Sequence, residues 1–278
     1  MLRRTFLQSV AALAAQKLEF AGAHAEVYKT IGDTRLELFL FTPEGHQPTD
    51  HRPAIVFFFG GGWNNGTPKQ FEPHCRMLAA QGMVAITADY RVASRHQVKV
   101  VDCVRDAKSA VRWVRQNAQR LGIDPQRIAA GGGSAGGHLA AATATLPEFD
   151  EPTEDAKISS RPNALVLFNP ALVLTLNGVD LPLARTGVEA SRVSPDEHIV
   201  KGLPPTIIFH GKADTTVPYA TVELFTRKMI EAGNRCELIG FEGQTHGFFN
   251  YGRGDNQMFG QTTAEMVRFL GRLGYLKG

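Results

Sequence analysis

One serine of the sequence lies in a pattern that is typical of a catalytic nucleophile. Ser134 is the middle residue of 132–136, Gly-Gly-Ser-Ala-Gly, a G-x-S-x-G motif between a predicted strand and a predicted helix. Such a motif places the serine on a strained turn, whose small neighbours leave its hydroxyl free above the edge of the sheet. The N-terminus of the next helix favours negative charge that develops there. No phosphate loop ending in lysine, and no glycine motif with a ribose-binding acid, is present, which disfavours nucleotide binding.

A serine hydroxyl is a weak nucleophile near neutral pH, and it needs a base whose tautomer is fixed by a carboxylate. The candidate base is His246 and the candidate acid is Asp214, each of which follows a predicted strand. Loops after the carboxyl ends of parallel strands meet at one edge of a sheet, so Ser134, Asp214 and His246 can lie together. Rival candidates for the base and the acid stay open: His210, Asp180 and Asp196.

A second glycine-rich turn lies upstream of the serine. The segment 59–63, Phe-Gly-Gly-Gly-Trp, directly follows a continuous apolar run. Backbone N–H groups of Gly61 and Gly62, with the N–H of Ala135, are predicted to form an oxyanion hole. Each such donor stabilises a transition state by about 3 to 4 kcal/mol.

Aromatic and amide side chains flank these turns. Aromatic faces beside amides suit a sugar, which offers apolar ring faces and many hydroxyls; ordinary aromatic packing is the open alternative. The residues predicted to bind substrate are Trp63, Asn64, His138 and Phe248, with Asn65 and Phe249 beside them.

The surrounding pattern predicts an α/β fold in a single domain. Buried apolar strands alternate with amphipathic helices, which indicates a mostly parallel sheet with helices on both faces. The predicted strands are 36–41, 54–59, 84–88, 127–130, 164–168, 206–209 and 236–241. The predicted helices are 71–81, 101–121, 138–145, 222–232 and 263–273. The long irregular connection 169–205 is predicted to be a lid or substrate-binding loop.

Composition excludes several classes of protein. The 278 residues are 43% hydrophobic with a net charge of +3, and they show no basic stripe and no apolar run long enough for a membrane span. We therefore expect no nucleic-acid partner and no transmembrane segment. The 3 cysteines lack metal spacing, and the acidic segment 148–155 is interpreted as a surface loop, with a cation site as the alternative. No metal and no organic cofactor is predicted.

The N-terminus resembles an export signal. Arg3 and Arg4 precede a short apolar run, and the segment 23–25, Ala-His-Ala, fits a small-x-small cleavage site. The prediction is a twin-arginine-type signal over 1–25, a catalytic domain over 26–278, and a periplasmic or secreted protein. If the segment is no signal, a cytoplasmic location is expected.

Together these residues resemble the α/β-hydrolase superfamily, from about residue 27 to the C-terminus. Within it, the segments 60–63 and 131–138 are similar to carboxylesterases that include acetyl esterases, acetylxylan esterases and feruloyl esterase-like proteins. The run 57–64 and Asp89-Tyr90-Arg91 resemble the acetylxylan esterase-like members in particular. The resemblance implies the catalytic and oxyanion roles already assigned. One departure is Phe59, because related esterases usually carry a histidine there that shapes the glycine loop.

The resulting hypothesis is a serine carboxylesterase that removes acetyl or other short acyl groups through an acyl-enzyme. Its predicted substrate is a small-molecule, oligosaccharide or polysaccharide ester such as acetylated xylan. The alternatives are an amide-bond hydrolase, such as a formamidase or small peptidase, or a feruloyl esterase with the same triad.

Overall fold

A twisted sheet of eight strands forms the centre of the computed structural model, which describes residues 18–176, 179–180 and 186–276. The strands of the described residues are β1 (His24–Ile31), β2 (Thr34–Phe41), β3 (Arg52–Phe58), β4 (Val84–Ala88), β5 (Ile123–Gly133), β6 (Ala164–Phe168), β7 (Thr175–Leu176), β8 (Val179–Asp180), β9 (Thr206–Gly211) and β10 (Cys236–Phe241). The large sheet has the order β1-β2-β4-β3-β5-β6-β9-β10, and β7 pairs with β8. From β4 to β10 all pairs are parallel, whereas β1 and β2 are antiparallel additions.

Helices cover both faces of this sheet. They are α1 (Glu72–Ala80), α2 (Ala93–His96), α3 (Val100–Gln116), α4 (Ala135–Thr145), α5 (Tyr219–Glu231) and α6 (Gln257–Arg272). Side chains of α3, α4 and α5 belong to one apolar core, and side chains of α1 and α6 belong to the other. The strands alternate between the two cores: in β3, Val56 and Phe58 face the first and Ile55 and Phe57 the second. The predicted α/β-hydrolase architecture in a single domain is confirmed.

Some predicted bounds were wrong. The long helix ends at Gln116 rather than at residue 121, and turns follow it from Asn117. The edge strand β1 was missed because its sequence is not purely alternating. Lys29 lies in the middle of β1 and is buried, where its ammonium group pairs with Asp106 and Glu151 at 2.9 and 2.8 Å. The two carboxylate partners compensate the burial of the lysine charge, so β1 can contain a residue that a buried strand rarely has.

The folded part of the chain extends upstream of residue 26. The ring of Phe20 packs against Phe39, with centroids 4.8 Å apart, and His24 and Ala25 pair with β2. The predicted signal features at residues 3–4 and 9–15 lie outside the described residues, so export stays a prediction. Among the helices of the described chain, none has both the length and the apolar character needed to cross a bilayer.

A buried histidine lies in an aromatic cluster below the carboxyl ends of the strands. His74 of α1 packs among phenylalanine rings with centroids 4.9 to 6.0 Å away. Neither ring nitrogen has a hydrogen-bond partner in the described part of the chain. Burial lowers the pKa of His74 to about 3 from 6.5, so the ring stays neutral in the folded protein.

This histidine should make the protein less stable in acid. Below pH 6.5 an unfolded chain protonates His74, but the folded chain does not until about pH 3, so the free energy of unfolding falls as pH decreases through that window. One such group contributes about 1.4 kcal/mol per pH unit. We expect His74→Leu to reduce the stability lost between pH 7.5 and 5.0 by about 2 kcal/mol.

Urea unfolding at the two pH values measures this effect. Cys75→Ala, a change at the buried neighbour of His74 in α1, is the control: it removes no histidine, so the acid sensitivity should stay as in wild type. An equal loss of stability in wild type and His74→Leu would contradict the prediction.

Candidate active site

The loop between β5 and α4 holds Ser134 in a strained conformation. Its φ of 54° and ψ of −119° lie outside the regions that serine usually adopts. The turn is possible because its neighbours lack side chains. A Cβ at Gly136 would lie 2.0 Å from the carbonyl oxygen of Phe58, and one at Gly132 would lie 2.4 Å from the backbone of Gly136. Close packing of α4 against β3 therefore requires glycine and leaves the serine at the top of the sheet.

Ser134 begins a continuous hydrogen-bonded chain of three side chains. Its Oγ lies 2.9 Å from Nε2 of His246, and Nδ1 of His246 lies 2.7 Å from Oδ2 of Asp214. The Asp214 carboxylate is fully buried, while the His246 ring is 24% exposed and reaches the cavity. Since Nδ1 donates to the carboxylate, Nε2 carries the lone pair that can accept the serine proton. The structure thus brings together all three residues predicted as catalytic.

The carboxylate of Asp214 is held in its ionised form. Burial alone would raise its pKa, but the ring of His210, whose Nε2 lies 3.3 Å from Oδ2, and the hydrogen bonds from His246 and the backbone N–H of Val217 outweigh it and hold the pKa well below its usual range. Oδ1 accepts from the N–H groups of Thr216 and Val217 at 2.8 and 2.9 Å. These two donors fix which oxygen faces His246.

The rival base and acids take other positions. His210 is fully buried, and its Nε2 donates to the carbonyl of Val217 at 2.8 Å, so it braces the Asp214 loop. Asp196 pairs with Lys228 at 2.7 Å and accepts from the hydroxyl of Ser194. The side chain of Asp180 lies outside the described residues.

Two loops at the cavity of the serine contain backbone N–H groups without an acceptor among the described residues. In the described part of the chain, the N–H groups of Gly61, Gly62 and Ala135 have no protein acceptor, and all three residues line the same cavity as Ser134. Gly61 and Gly62 have φ of 124° and 61°, which explains why the loop needs glycine there. The three predicted oxyanion donors therefore lie around the cavity of Ser134 with N–H groups that are unbonded within the described chain, and their role in binding a negatively charged oxygen stays a prediction.

The cavity above Ser134 has a volume of about 410 Å³. The described residues that line it carry no carboxylate, ammonium or guanidinium group. Its apolar wall consists of Trp63, Ala171, Leu174, Val217 and Phe249. Its polar wall includes the side chains Asn65, Gln70, Asn169, Thr216 and Asn250. A small neutral molecule with an apolar portion fits this lining.

Three of the four side chains predicted to bind substrate lie elsewhere. His138 is fully buried: Nδ1 accepts from the indole N–H of Trp63 at 3.2 Å, and Nε2 donates to the carbonyl of Val193 at 2.7 Å. Burial lowers the pKa of His138 to about 4, so it is a neutral anchor between two loops. Asn64 and Phe248 are outside the cavity lining. Of the four, only Trp63 lines the cavity, and its side chain is almost entirely buried.

The predicted lid segment 169–205 contributes to the site at its beginning. Asn169, Ala171 and Leu174 line the cavity, and the carbonyl of Val193 holds His138. Part of the segment lies outside the described residues, so its movement as a lid stays a prediction.

The acidic segment 148–155 is engaged in ion pairs. Asp150 and Glu154 pair with Arg112, and Glu151 pairs with Lys29. Within the described residues, no group of three or more histidine, cysteine, aspartate or glutamate side chains could hold a metal ion.

Sequence reasoning missed three amides of the cavity: Gln70, Asn169 and Asn250. Of the three, Asn169 could have been predicted from the sequence, because it directly follows β6 at the edge of the sheet that carries Ser134. Gln70 and Asn250 lie in polar connections that resemble ordinary turns.

Known proteins share this fold. A family model described as the alpha/beta hydrolase fold matches residues 55–250. The chain is 27% identical over 237 residues to esterase LipC of Mycobacterium tuberculosis, and 30% identical over 243 residues to a probable isoprenylcysteine alpha-carbonyl methylesterase of Arabidopsis thaliana. These matches cover 78% and 79% of this chain but 58% and 50% of the relatives, so it spans little more than half of their length.

A solved structure covers the chain more completely. The apo form of esterase 2 of Thermogutta terrifontis has a TM-score of 0.92 and 54% identity, over 95% of this chain and 100% of that chain. The eight-stranded sheet, the serine turn at the end of β5 and the match over 55–250 show that the chain belongs to the α/β hydrolase fold family, and the relatives compared with it are esterases.

Proposed function

We infer that the chain is a serine carboxylesterase that hydrolyses short-chain neutral esters. The observation that carries the proposal is the hydrogen-bonded chain from Ser134 through His246 to Asp214, at 2.9 and 2.7 Å, beside N–H groups without acceptors. A nucleophile, a base of fixed tautomer and an oxyanion site in one cavity are the parts that acyl transfer requires.

The reaction follows from these positions. Ser134 Oγ attacks the ester carbonyl while Nε2 of His246 takes its proton, and Asp214 stabilises the imidazolium that forms. The carbonyl oxygen becomes an anion that accepts hydrogen bonds from Gly61, Gly62 and Ala135. His246 then gives the proton to the departing alcohol, which leaves an acyl group on Ser134. Water enters with His246 as base and releases the acid.

The cavity supports a short and uncharged acyl group. Its volume of about 410 Å³ and its apolar wall offer room for a few methylene groups, and no charged side chain of the described lining would compensate a charged substrate. Solved structures of the Thermogutta esterase 2 hold propionate and butyrate, which are acids of this size. At 54% identity, a similar acyl preference is proposed for this chain.

A carbohydrate ester such as acetylated xylan is also part of the proposal, but fewer observations support the sugar than support the short acyl group. The sugar prediction rests on the aromatic and amide side chains beside the catalytic loops. Trp63, Asn65 and Phe249 line the cavity, whereas Asn64 and Phe248 do not. The amide-bond hydrolase and the feruloyl esterase have no specific observation in their favour.

A series of 4-nitrophenyl esters from acetate to decanoate tests acyl length. Acetylated xylan, an aryl formamide and a methyl ferulate, assayed beside them, test the leaving group. We expect the highest kcat/KM at two to four acyl carbons and a decrease of about tenfold or more by octanoate, because the longer chain exceeds the apolar wall. The same assays with Ser134→Ala give the background. Highest activity on decanoate, or activity on the formamide alone, would contradict the proposal.

A further inference from the structure

We propose that Gln70 is a positioning residue that holds the oxyanion loop 60–62 in place and ties it to the loop of His246. The inference rests on the proposed esterase function and assigns a part of its machinery to a side chain outside the triad. Gln70 lies in a short 3₁₀ turn before α1, distant in sequence from every residue that reacts.

The side-chain amide of Gln70 bonds in two directions. Its Oε1 accepts from the backbone N–H of Gly60 at 2.6 Å, directly before the two glycines that line the cavity and whose N–H groups have no acceptor in the described chain. Its Nε2 donates to Oδ1 of Asn250 at 2.9 Å. One planar amide group therefore connects two loops that are 180 residues apart.

Asn250 continues the connection to the base. Its Nδ2 donates to the carbonyl of Gly247 at 2.9 Å, and Gly247 directly follows His246. The N–H of Gly247 donates to Oδ1 of Asn169 at 2.9 Å. The peptide groups on both sides of Gly247 are thus fixed by side-chain amides, and Gln70 joins this arrangement to the oxyanion loop.

The oxyanion loop needs such support because of its sequence. Three successive glycines have many accessible conformations, and their N–H groups stabilise an oxyanion only if their directions are fixed beforehand. Phe59 cannot donate or accept hydrogen bonds with its side chain, and its ring instead stacks on Tyr90, with centroids 4.1 Å apart. Gln70 provides the polar contact to the loop that Phe59 cannot.

The test replaces Gln70 with methionine, which keeps the length of the side chain and removes both hydrogen bonds. We expect kcat on 4-nitrophenyl acetate to fall about 10- to 100-fold, with KM within about threefold, because misdirected N–H groups weaken the transition state more than the bound ester. The matched control is Gln81→Met at the exposed end of α1, which should keep wild-type kcat.

Further readouts separate positioning from general loss of structure. The affinity for a trifluoromethyl ketone that forms an oxyanion should fall in parallel with kcat/KM, while the affinity for the corresponding methyl ketone, which stays a neutral carbonyl, should change little. The pH profile of kcat/KM should keep its shape, because the contacts of His246 with Ser134 and Asp214 are not altered.

A second variant keeps the test decisive if Gln70→Met does not fold. Asn250→Ala leaves the Gly60 contact and removes the link to the other loop, so kcat should fall about 3- to 10-fold. If both single variants fold, their losses should not be additive in the double variant. Wild-type kcat in Gln70→Met, or in Asn250→Ala when Gln70→Met does not fold, would overturn the inference. If the wild type itself shows no hydrolysis that depends on Ser134, the proposed function fails instead.

Discussion

Ser134→Ala is expected to lower kcat for 4-nitrophenyl acetate by about 10⁵- to 10⁶-fold, a loss of about 7 to 8 kcal/mol of transition-state stabilisation. The change removes only the Oγ that lies 2.9 Å from His246. Alanine keeps the same Cβ on the same strained backbone, so the turn and its close packing against β3 should persist. The residual rate comes from the oxyanion donors and from binding, which still act when water is the nucleophile.

Ser109→Ala is the matched control for this substitution. Ser109 is buried in α3, and its hydroxyl has no hydrogen-bond partner in the described chain. Removing this hydroxyl should leave kcat unchanged and should not lower the melting temperature, since alanine favours helix and the lost group was unpaired. Mass spectrometry after a fluorophosphonate probe should show one adduct on wild type and on Ser109→Ala, and none on Ser134→Ala. Retention of a tenth or more of the activity by Ser134→Ala would refute the assigned nucleophile.

The catalytic geometry was accessible from the sequence because its constraints are local. The turn around Ser134 needs glycine because a Cβ at Gly136 would lie only 2.0 Å from the carbonyl oxygen of Phe58, and that requirement is visible as a motif. Asp214 and His246 each follow a strand of a parallel sheet, so topology alone brings them to the edge where Ser134 lies. The fold was predictable for a similar reason, since the strands buried on both faces are continuous apolar runs.

The substrate side of the cavity was less predictable because neighbouring residues point in opposite directions. Phe249 lines the cavity, whereas the adjacent Phe248 packs on Phe241, with ring centroids 4.9 Å apart. Trp63 has a φ of 56°, and its buried indole is bonded to His138. Sequence position shows that such residues are near the site, but not which of them faces it.

Contacts between distant segments were also beyond the sequence. The amide of Gln70 acts on Gly60 and Asn250 through a geometry that exists only after the sheet and both loops are assembled. A glutamine in a turn before a helix gives no local sign of such a role.

Asp214→Asn is expected to lower kcat by about 10⁴-fold, or about 5 kcal/mol, while the protein stays folded. The N–H groups of Thr216 and Val217 donate to Oδ1, so they fix the oxygen of the new amide in that position. The amide nitrogen must then replace Oδ2, which lies 2.7 Å from Nδ1 of His246. Two donors cannot face each other, so His246 shifts its proton to Nε2 and loses the lone pair that accepts the proton of Ser134.

Asp196 offers a matched control for this variant, because it is also a buried carboxylate with polar partners. Asp196→Asn makes the same change in a buried carboxylate that pairs with Lys228, outside the triad. We expect it to lower stability but to keep kcat within about threefold, because no reacting atom loses a partner. Steady-state kinetics on 4-nitrophenyl acetate, with circular dichroism to establish folding, distinguish the two. If Asp196→Asn reduced kcat as much as Asp214→Asn, or if Asp214→Asn kept wild-type kcat, the orienting role of Asp214 would be wrong. A change of tautomer lowers kcat only if the altered carboxylate contacts His246, and Asp214 makes that contact through Oδ2. The N–H groups of Thr216 and Val217 keep Oδ1 on the other side, so the new amide nitrogen must face His246.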